Sequence, residues 1–306
     1  MKYRIIVIVL LVMATISAEA QSNANIFSMK LGNSKLYLLS EGQRDGNTGI
    51  LIGAKPEITA KYAPNNSFPM ATNAFLWQVD GKNILFDTGY GRELFNNLKF
   101  LKVKPEDIDA IFITHMHGDH IGGLLVDDKA AFPKATLYIS QTEYDYWTSD
   151  ETMKQAPENS RGGFLAAKKV AEAYKKNLHL FDPNALNPPY TKELCHGVKA
   201  VAAYGHTPGH TAYLITSDNK ELLVWGDLAH AMAVQMPYPE IAATYDTTPE
   251  MAVKSRLAIL EFVSEQKIPV AGMHIPYPSI GTIVKANPGY RFVPVKLEFQ
   301  VAGPPK

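Results

Sequence analysis

The chain has 306 residues, of which 46% are hydrophobic and 20% are charged, as is usual for a protein with a substantial core. Lys and Arg together number 30, as do Asp and Glu, so the formal net charge is zero. The sequence therefore has neither the basic field that nucleic-acid binding requires nor an acidic tail, and we expect no nucleic-acid partner.

The first twenty residues have the pattern of a secretory signal peptide. Lys2 and Arg4 form a short positive region, an apolar run follows over residues 5–13, and Ala18-Glu19-Ala20 supplies the small residues that signal peptidases prefer. The apolar run is shorter than the roughly 18 to 20 residues that a membrane span requires. Residues 1–20 are thus predicted to be removed on export, which predicts a periplasmic or secreted protein without a stable membrane anchor.

The mature chain, residues 21–306, alternates strand and helix patterns without a linker and is predicted to form a single domain. Its one cysteine, Cys195, leaves no internal disulfide to stabilise the fold. Runs rich in β-branched and aromatic residues predict strands at 35–42, 73–89 (a hairpin around Asp80-Gly81), 109–114, 135–140, 198–205, 211–227 (a hairpin through Ser217 to Lys220) and 268–274.

Helices are predicted at 141–147 and 164–177, and a third begins at Thr248-Pro249. The third has apolar Val253, Leu257 and Leu260 on one face. This order of strands and helices predicts an α/β (α+β) protein in which two sheets pack together with helices outside.

Residues 46–68 have little periodicity and are rich in Gly, Pro and Asn, so this segment is predicted to be a lid rather than a simple connection. Four aromatic residues are candidates either for an apolar pocket under this lid or for the core. They are Tyr62, Phe68, Phe95 and Phe100.

The stretch THMHGDH, residues 114–120, places three histidines and an aspartate directly after a predicted strand. His115 and His117 are two positions apart, so an extended backbone points both side chains the same way. Gly118 permits a turn, and Asp119 and His120 follow it. Because imidazole and carboxylate groups are ligands of borderline divalent metals, two adjacent ligand pairs predict a site for two metal ions.

Three further ligand-type residues follow apolar strands in the second half of the chain: His206, Asp227 and His274. Together with the first cluster they form a set of seven nitrogen and oxygen ligands. Such a set is compatible with Zn, which we take as the first expectation, and with Mn, Co or Fe.

The pattern H-x-H-x-D-H, with these downstream ligands and LFDTG at 85–89, resembles the metallo-β-lactamase superfamily over residues 73–274. The resemblance implies an αββα sandwich with the site in the cleft between two sheets. It implies that Asp87 supports the site, that Asp227 bridges the metals, and that each metal has three other ligands. These are His115, His117 and His206 for the first metal, and Asp119, His120 and His274 for the second.

Other residues and stretches indicate which branch of the superfamily the sequence resembles. Superfamily members with a cysteine ligand carry it at the position of Asp227, and the diiron oxygen-reducing members have Glu at the position of His117, so neither branch fits. The stretches GGLLVDDKAAFPKATLYIS, GHTPGHTAY, GDLAHAMAVQ and GYRFVPV resemble the methyl parathion hydrolase-like group, which includes N-acyl homoserine lactone lactonases. Related enzymes are often dimers, so the resemblance also implies a possible homodimer.

The resemblance implies hydrolysis of a small-molecule lactone or ester by a hydroxide that bridges the two metals, with Asp119 carrying the proton to the leaving oxygen. The first hypothesis is a lactonase that opens N-acyl homoserine lactones and so quenches quorum signals. The second is a phosphotriesterase or arylesterase of the methyl parathion hydrolase type. The third, an inactive binding scaffold, is weakest because no ligand is missing.

Two other histidines belong to these motifs. His210 is predicted to support a neighbouring group rather than to bind metal. His230 follows Asp227 by three residues, where many homoserine lactone lactonases have a tyrosine that touches substrate. It is either a substrate hydrogen-bond donor or simply a residue of the cleft.

Overall fold

The computed structural model describes residues 26–185 and 192–295, so the predicted signal peptide lies outside the described residues. The strands are β1 (Ile26–Leu31), β2 (Ser34–Asn47), β3 (Leu51–Ile52), β4 (Ser67–Val79), β5 (Lys82–Phe86), β6 (Ala110–Phe112), β7 (Leu125–Val126), β8 (Lys129–Ala130), β9 (Thr136–Ser140), β10 (Leu178–Phe181), β11 (Val198–Ala202), β12 (Thr211–Ser217), β13 (Lys220–Val224), β14 (Ala242–Ala243), β15 (Val270–Ala271), β16 (Ile280–Lys285) and β17 (Tyr290–Pro294).

The α-helices are α1 (Pro56–Tyr62), α2 (Leu94–Phe100), α3 (Gly118–Ile121), α4 (Gln141–Thr148), α5 (Asp150–Gln155), α6 (Arg161–Tyr174), α7 (Met232–Gln235) and α8 (Pro249–Gln266). Each predicted strand and helix has a counterpart among these elements. Across the described ranges, no helix combines the length and apolar character needed to cross a membrane.

Two mixed sheets form the centre of the molecule. The first has the order β1-β2-β4-β5-β6-β9-β10, and the second has the order β11-β12-β13-β15-β16-β17. Strands β5, β6, β9 and β10 run parallel to their neighbours in that series, as do β13 and β15. Parallel neighbours bring the carboxyl ends of strands to one edge, where open-sheet folds place their sites.

Alternating side chains explain how the sheets stack. On β4, Phe75 and Trp77 pack with residues of the second sheet, whereas Leu76 packs with α2 and α6. The second sheet is likewise covered on its outer face by α8, where Leu214 and Ile259 share one cluster. Since both faces of each sheet are buried, the layers are helix, sheet, sheet and helix, which confirms the predicted αββα sandwich.

The predicted apolar face of α8 is confirmed for Leu260, which is fully buried, and wrong for the other two residues. Leu257 is 40% exposed and Val253 is half-buried, whereas Arg256 is 1% exposed. The Arg256 guanidinium donates hydrogen bonds to the carbonyls of Leu228, Pro239 and Ile241 at 2.6 to 2.9 Å. These bonds satisfy the buried guanidinium, so the helix turns this polar residue inward, contrary to a rule based on hydrophobicity alone.

Residues 46–68 are built of short ordered elements rather than one irregular loop. Strand β3 pairs with β14, and the Thr244 amide donates to the Ile50 carbonyl at 2.8 Å. Phe68 and Tyr62 pack in a small cluster with Val234, Phe95 packs on the main core, and Phe100 is 53% exposed. Through these backbone hydrogen bonds, the segment holds residues 242–245 in place.

Candidate metal centre

All seven predicted ligands come together at one edge of the sandwich. The cluster at 115–120 follows β6, His206 follows β11, Asp227 follows β13 and His274 follows β15. The backbone turns sharply after β6, and α3 begins at Gly118, so Asp119 and His120 fold back beside His115. Strand ends from both sheets therefore supply the ligands, as the predicted positions require.

His115, His117 and His206 form the first ligand group. His115 Nε2 lies 2.9 Å from His117 Nδ1, which lies 3.1 Å from His206 Nε2. Nitrogens bound tetrahedrally to one zinc ion at about 2.0 to 2.1 Å lie about 3.3 Å from one another. The three nitrogens thus converge on one point at nearly the spacing of a metal site.

Asp119, His120 and His274 form the second ligand group. Asp119 Oδ1 lies 3.7 Å from His120 Nε2, and its Oδ2 lies 3.5 Å from His274 Nε2. These three atoms can also hold a metal ion together. Unlike the first group, this one contains a carboxylate, and Asp119 is its most accessible member.

Asp227 lies between the two groups. Its Oδ1 is 3.2 Å from His120 Nε2, and its Oδ2 is 3.0 Å from His274 Nε2. The same Oδ2 lies 3.4 Å from His206 Nε2 and 3.7 Å from His115 Nε2. One carboxylate therefore reaches both groups, which is the geometry that the predicted bridging role requires.

Two unsatisfied atoms show that these residues fit a divalent cation. His120 Nε2 and Asp227 Oδ1 are buried and, although they lie 3.2 Å apart, neither makes a hydrogen bond with any of the residues that the structure describes. Burying such atoms without partners costs free energy, and a cation between them would satisfy both. The donor set is compatible with a dinuclear site for divalent ions.

Burial controls the protonation of the first group. It lowers the pKa of His117 to about 4 and the pKa values of His115 and His206 well below the usual range. These imidazoles are therefore neutral at pH 7 and have free lone pairs, which metal binding requires.

The second group differs because carboxylates surround it. Burial acts to lower the pKa of His120 and His274, but Asp227 and other nearby carboxylates raise both values above the usual range. Burial likewise acts to raise the pKa of Asp227, yet His120, His274 and His115 hold it well below its usual value. The Asp227 carboxylate is accordingly ionised.

The outer nitrogens of the ligands are fixed by hydrogen bonds. His120 Nδ1 lies 2.6 Å from Asp87 Oδ2, so Asp87 supports the site as the resemblance implied. His274 Nδ1 donates to the Ala71 carbonyl at 2.7 Å, and His206 Nδ1 lies 3.0 Å from Asp246 Oδ1. Such partners fix the ring orientation and the tautomer of each ligand.

The sequence interpretation missed two buried carboxylates. Asp246 supports His206, and Glu143 accepts hydrogen bonds from the segments around His115 and His206. Neither lies in a stretch with ligand spacing, so the sequence carries no local signal for them.

His210 is not directed at either ligand group. Its Nδ1 donates to the Ala203 carbonyl at 2.9 Å, and its Nε2 accepts the Asp227 amide at 2.9 Å. Gly226 has φ +63°, and a Cβ there would lie 2.4 Å from His210 Nε2. His210 therefore holds the backbone of Asp227 in place, and only glycine fits beside it.

His230 lies in the cleft above the ligands. Its Nε2 is 3.1 Å from Asp227 Oδ2, its Nδ1 has no partner within the described part of the chain, and its ring stacks on that of His274 at 5.0 Å. It is 2% exposed. His230 is one of the residues that line the cleft, and this position is compatible with both predicted roles.

Five of the seven predicted ligands, His117, Asp119, His206, Asp227 and His274, line the floor of an open cleft of about 940 Å³, and His115 and His120 lie buried beneath it. Its walls combine apolar and aromatic side chains with polar ones. The wall residues are Met70, Tyr90, Tyr146, Trp147, Thr152, Gln155, Ala156, Pro157, Asn159, Ser160, Phe164, Thr244, Tyr245 and Thr247. Arg44 is the one Arg or Lys among the described residues that line the cleft, and no residue of 46–68 lines it.

Comparison with known proteins identifies the class to which this fold and ligand set belong. The family model of the metallo-beta-lactamase superfamily matches residues 68–266, so the chain belongs to that superfamily. The resemblance inferred from the ligand spacing is thereby confirmed.

Solved structures of similar proteins share the fold over most of the chain but little more than a quarter of the sequence. The hydrolase AbOPH of the beta-lactamase superfamily is 26% identical with a TM-score of 0.79, and the match covers 90% of this chain and 99% of that one. The dizinc quorum-quenching lactonase AidC, in complex with the product N-hexanoyl-L-homoserine, is 27% identical with a TM-score of 0.77, covering 89% and 98%.

Curated relatives match over shorter stretches. An N-acyl homoserine lactonase of Bacillus cereus is 22% identical over 196 residues, 56% of this chain and 68% of the relative. The chain spans about a quarter of the length of the exodeoxyribonuclease WalJ of Streptococcus pneumoniae, with 40% identity over 74 residues, 24% of this chain and 25% of the relative.

Proposed function

We propose that the protein is an exported, metal-dependent lactonase that opens the ring of N-acyl homoserine lactones. The observation that carries this proposal is the set of seven predicted ligands gathered at the floor of a cleft, five of which line it, together with the likeness to a dizinc lactonase over 98% of that protein's length. In this proposal His115, His117 and His206 hold one ion, Asp119, His120 and His274 hold the other, and Asp227 contacts both.

The cleft has the shape and chemistry for an amphipathic ester. When bound, divalent ions would polarise the lactone carbonyl and lower the pKa of a water molecule, with Zn the first candidate. Tyr146, Trp147 and Phe164 provide an apolar wall for an acyl chain. Asp119 is accessible from the cleft, so its carboxylate is placed to carry a proton to the oxygen that leaves when the ring opens.

Hydrolysis of a substrate panel tests the proposal. Zinc-loaded protein is assayed with homoserine lactones of several acyl lengths, an aryl ester and an aryl phosphotriester, and chelator-stripped protein is the control. We expect kcat/KM for the lactones to exceed the other values by at least about tenfold, or about 1.4 kcal/mol of transition-state stabilisation. A higher value for the phosphotriester would instead assign the protein to the methyl parathion hydrolase type.

A substitution of His230 tests whether this residue contacts the substrate. If its ring donates a hydrogen bond to the lactone, His230→Phe should lower kcat/KM for lactones by about tenfold while both metals stay bound. An unchanged kcat/KM would leave His230 as a residue of the cleft without a substrate role. The measurement combines steady-state kinetics with metal analysis of the same preparation.

A further inference from the structure

Glu143, on α4, has a fully enclosed carboxylate that accepts four hydrogen bonds. Its Oε1 accepts the Met116 amide at 2.8 Å and the Trp147 indole N–H at 2.7 Å. Its Oε2 accepts the Thr207 hydroxyl at 2.7 Å and the Gly209 amide at 2.9 Å. Glu143 is 1% exposed, so water does not compete for these bonds.

Three of the four donors belong to the two segments that carry the first ligand group, and the fourth, Trp147, lies on α4 itself. Met116 lies between His115 and His117, and Thr207 directly follows His206. Trp147 packs edge-on against His117, with ring centroids 5.4 Å apart. One carboxylate thus joins two segments that are about ninety positions apart in the sequence.

The start of α4, which carries Glu143, packs directly against the backbone of Gly209. A Cβ added to Gly209 would lie 2.2 Å from the Glu143 backbone nitrogen. The Ser140 hydroxyl also donates to the Gly209 carbonyl at 2.8 Å. The start of α4 is therefore fixed against the 207–209 loop, and the carboxylate sits at a defined position between the two ligand segments.

We infer that Glu143 is a positioning residue that sets the spacing of His115, His117 and His206 and so strengthens metal binding by that group in particular. The inference rests on the proposed metal-binding role of these histidines. Partners of this kind typically change metal affinity by about 10- to 100-fold when they are lost.

The second ligand group depends on a different anchor. The Asn73 side-chain amide donates to the Gly272 and Ile275 carbonyls and to the Ser279 hydroxyl, at 3.0 to 3.1 Å. These contacts fix the segment that carries His274. His120, which lies in the same turn as Met116, has an anchor of its own in Asp87, whose Oδ2 is 2.6 Å from His120 Nδ1. Loss of Glu143 should therefore weaken the first group while leaving the second one tight.

Glutamine is a demanding test because it has the same size but replaces one acceptor oxygen with a donor. The Met116, Trp147 and Gly209 partners are all fixed N–H donors, whereas the Thr207 hydroxyl can turn to accept. Glu143→Gln can therefore satisfy the Oε1 side but must leave the Gly209 amide facing another donor.

The experiment loads the full-length mature protein with zinc and measures metal per chain and the rate of zinc transfer to a chromogenic chelator. For Glu143→Gln we expect about tenfold faster release of one ion and an unchanged rate for the other. Glu261→Gln, an exposed carboxylate on α8, is the matched control and should match the wild type. Two unchanged rates, or two equally increased rates, would overturn the inference.

Double variants identify which group is affected. Combined with His274→Ala, which leaves only the first group intact, Glu143→Gln should speed release of the remaining ion. Combined with His206→Ala, it should leave the remaining ion unaffected, because the positioned group is already broken. The reverse pattern would overturn the inference.

Thr207→Val provides a milder test if Glu143→Gln does not fold, which circular dichroism establishes. It removes one of the four bonds, and we expect about threefold faster release from the same group, on the scale of a single hydrogen bond. Unchanged release from a folded Thr207→Val would contradict the inference. A wild-type protein that binds no zinc would instead refute the proposed function, so the two failures are distinguishable.

Discussion

The two ligand groups on either side of Asp227 differ in their side-chain types and in the pKa values of their histidines. The first consists of three imidazoles whose pKa values are lowered by burial, whereas the second combines two imidazoles with Asp119, and nearby carboxylates raise the pKa values of those imidazoles. A metal ion at the first group meets neutral nitrogens. An ion at the second group competes with protons but gains a carboxylate, so a single centre offers two unlike environments.

The supports of the two groups differ as well. His206 depends on Asp246, and the segments of the first group depend on Glu143, whereas His120 depends on Asp87 and His274 on a backbone carbonyl. Each group thus has a support of its own and can be weakened preferentially, although Asp87 also accepts hydrogen bonds from the amide and hydroxyl of Thr114, beside His115. Asp227 is the exception, since its oxygens face both.

Replacing Asp227 should have the largest effect. Asp227→Ala removes the carboxylate that both groups share, so we expect loss of at least one metal equivalent and a fall in kcat/KM of at least about a thousandfold. Metal analysis and lactone kinetics on one preparation check this. A variant that kept two metals and full turnover would show that the bridging role is wrong.

Removing one histidine from either group should abolish metal binding by that group and leave the other group occupied. We expect His206→Ala and His274→Ala each to bind one zinc ion instead of two, with kcat/KM reduced by at least about a hundredfold because each ion contributes to charge stabilisation. Equilibrium dialysis gives the stoichiometry. Retention of two ions by either variant would place that histidine outside the metal site.

Weakening the outer carboxylates should have a smaller and selective effect. Asp87→Asn removes the charge behind His120, and Asp246→Asn removes the charge behind His206, so each should lower metal affinity by about 10- to 100-fold, chiefly in the group that it supports. Competition with a chelator of known affinity measures both. Equal losses at both ions in either variant would argue against separate supports.

The smallest effect on the centre is expected from Arg256, whose guanidinium lies 4.0 Å from Asp246. Arg256→Leu leaves three buried carbonyls without their donor, so it should reduce the free energy of unfolding by about 3 kcal/mol. Leu257→Ala on the same helix is exposed and should change it by less than about 0.5 kcal/mol. Chemical denaturation measures both changes. A larger loss of unfolding free energy in Leu257→Ala than in Arg256→Leu would contradict the observed orientation of α8.

The sequence predicted which His and Asp side chains cluster in the cleft better than it predicted their surroundings, for a physical reason. Metal chemistry limits the residue types to a few and requires them at strand ends, so His115 to His120 and the later ligands stand out in the sequence. A supporting carboxylate such as Glu143 only has to reach two segments that the fold brings together. No spacing along the chain encodes that requirement.

The fold shows the same contrast. Alternation and turn residues predicted the central strands of both sheets, because each of these must bury its side chains in a regular order, but they did not predict β1, β10, β16 and β17. The inner face of α8 could not be found in this way, because Arg256 is buried through hydrogen bonds rather than through hydrophobicity. Residues 46–68 consist of elements too short to produce a periodic pattern, although β3 pairs and α1 packs.

Titration of zinc into chelator-stripped protein, with hydrolysis of a homoserine lactone followed at each addition, tests the central claim most directly. We predict that activity is absent in the stripped protein, rises with added metal and reaches its maximum at two equivalents per chain. Full activity at one equivalent, or no lactone hydrolysis with two ions bound, would contradict a lactonase that needs both ligand groups.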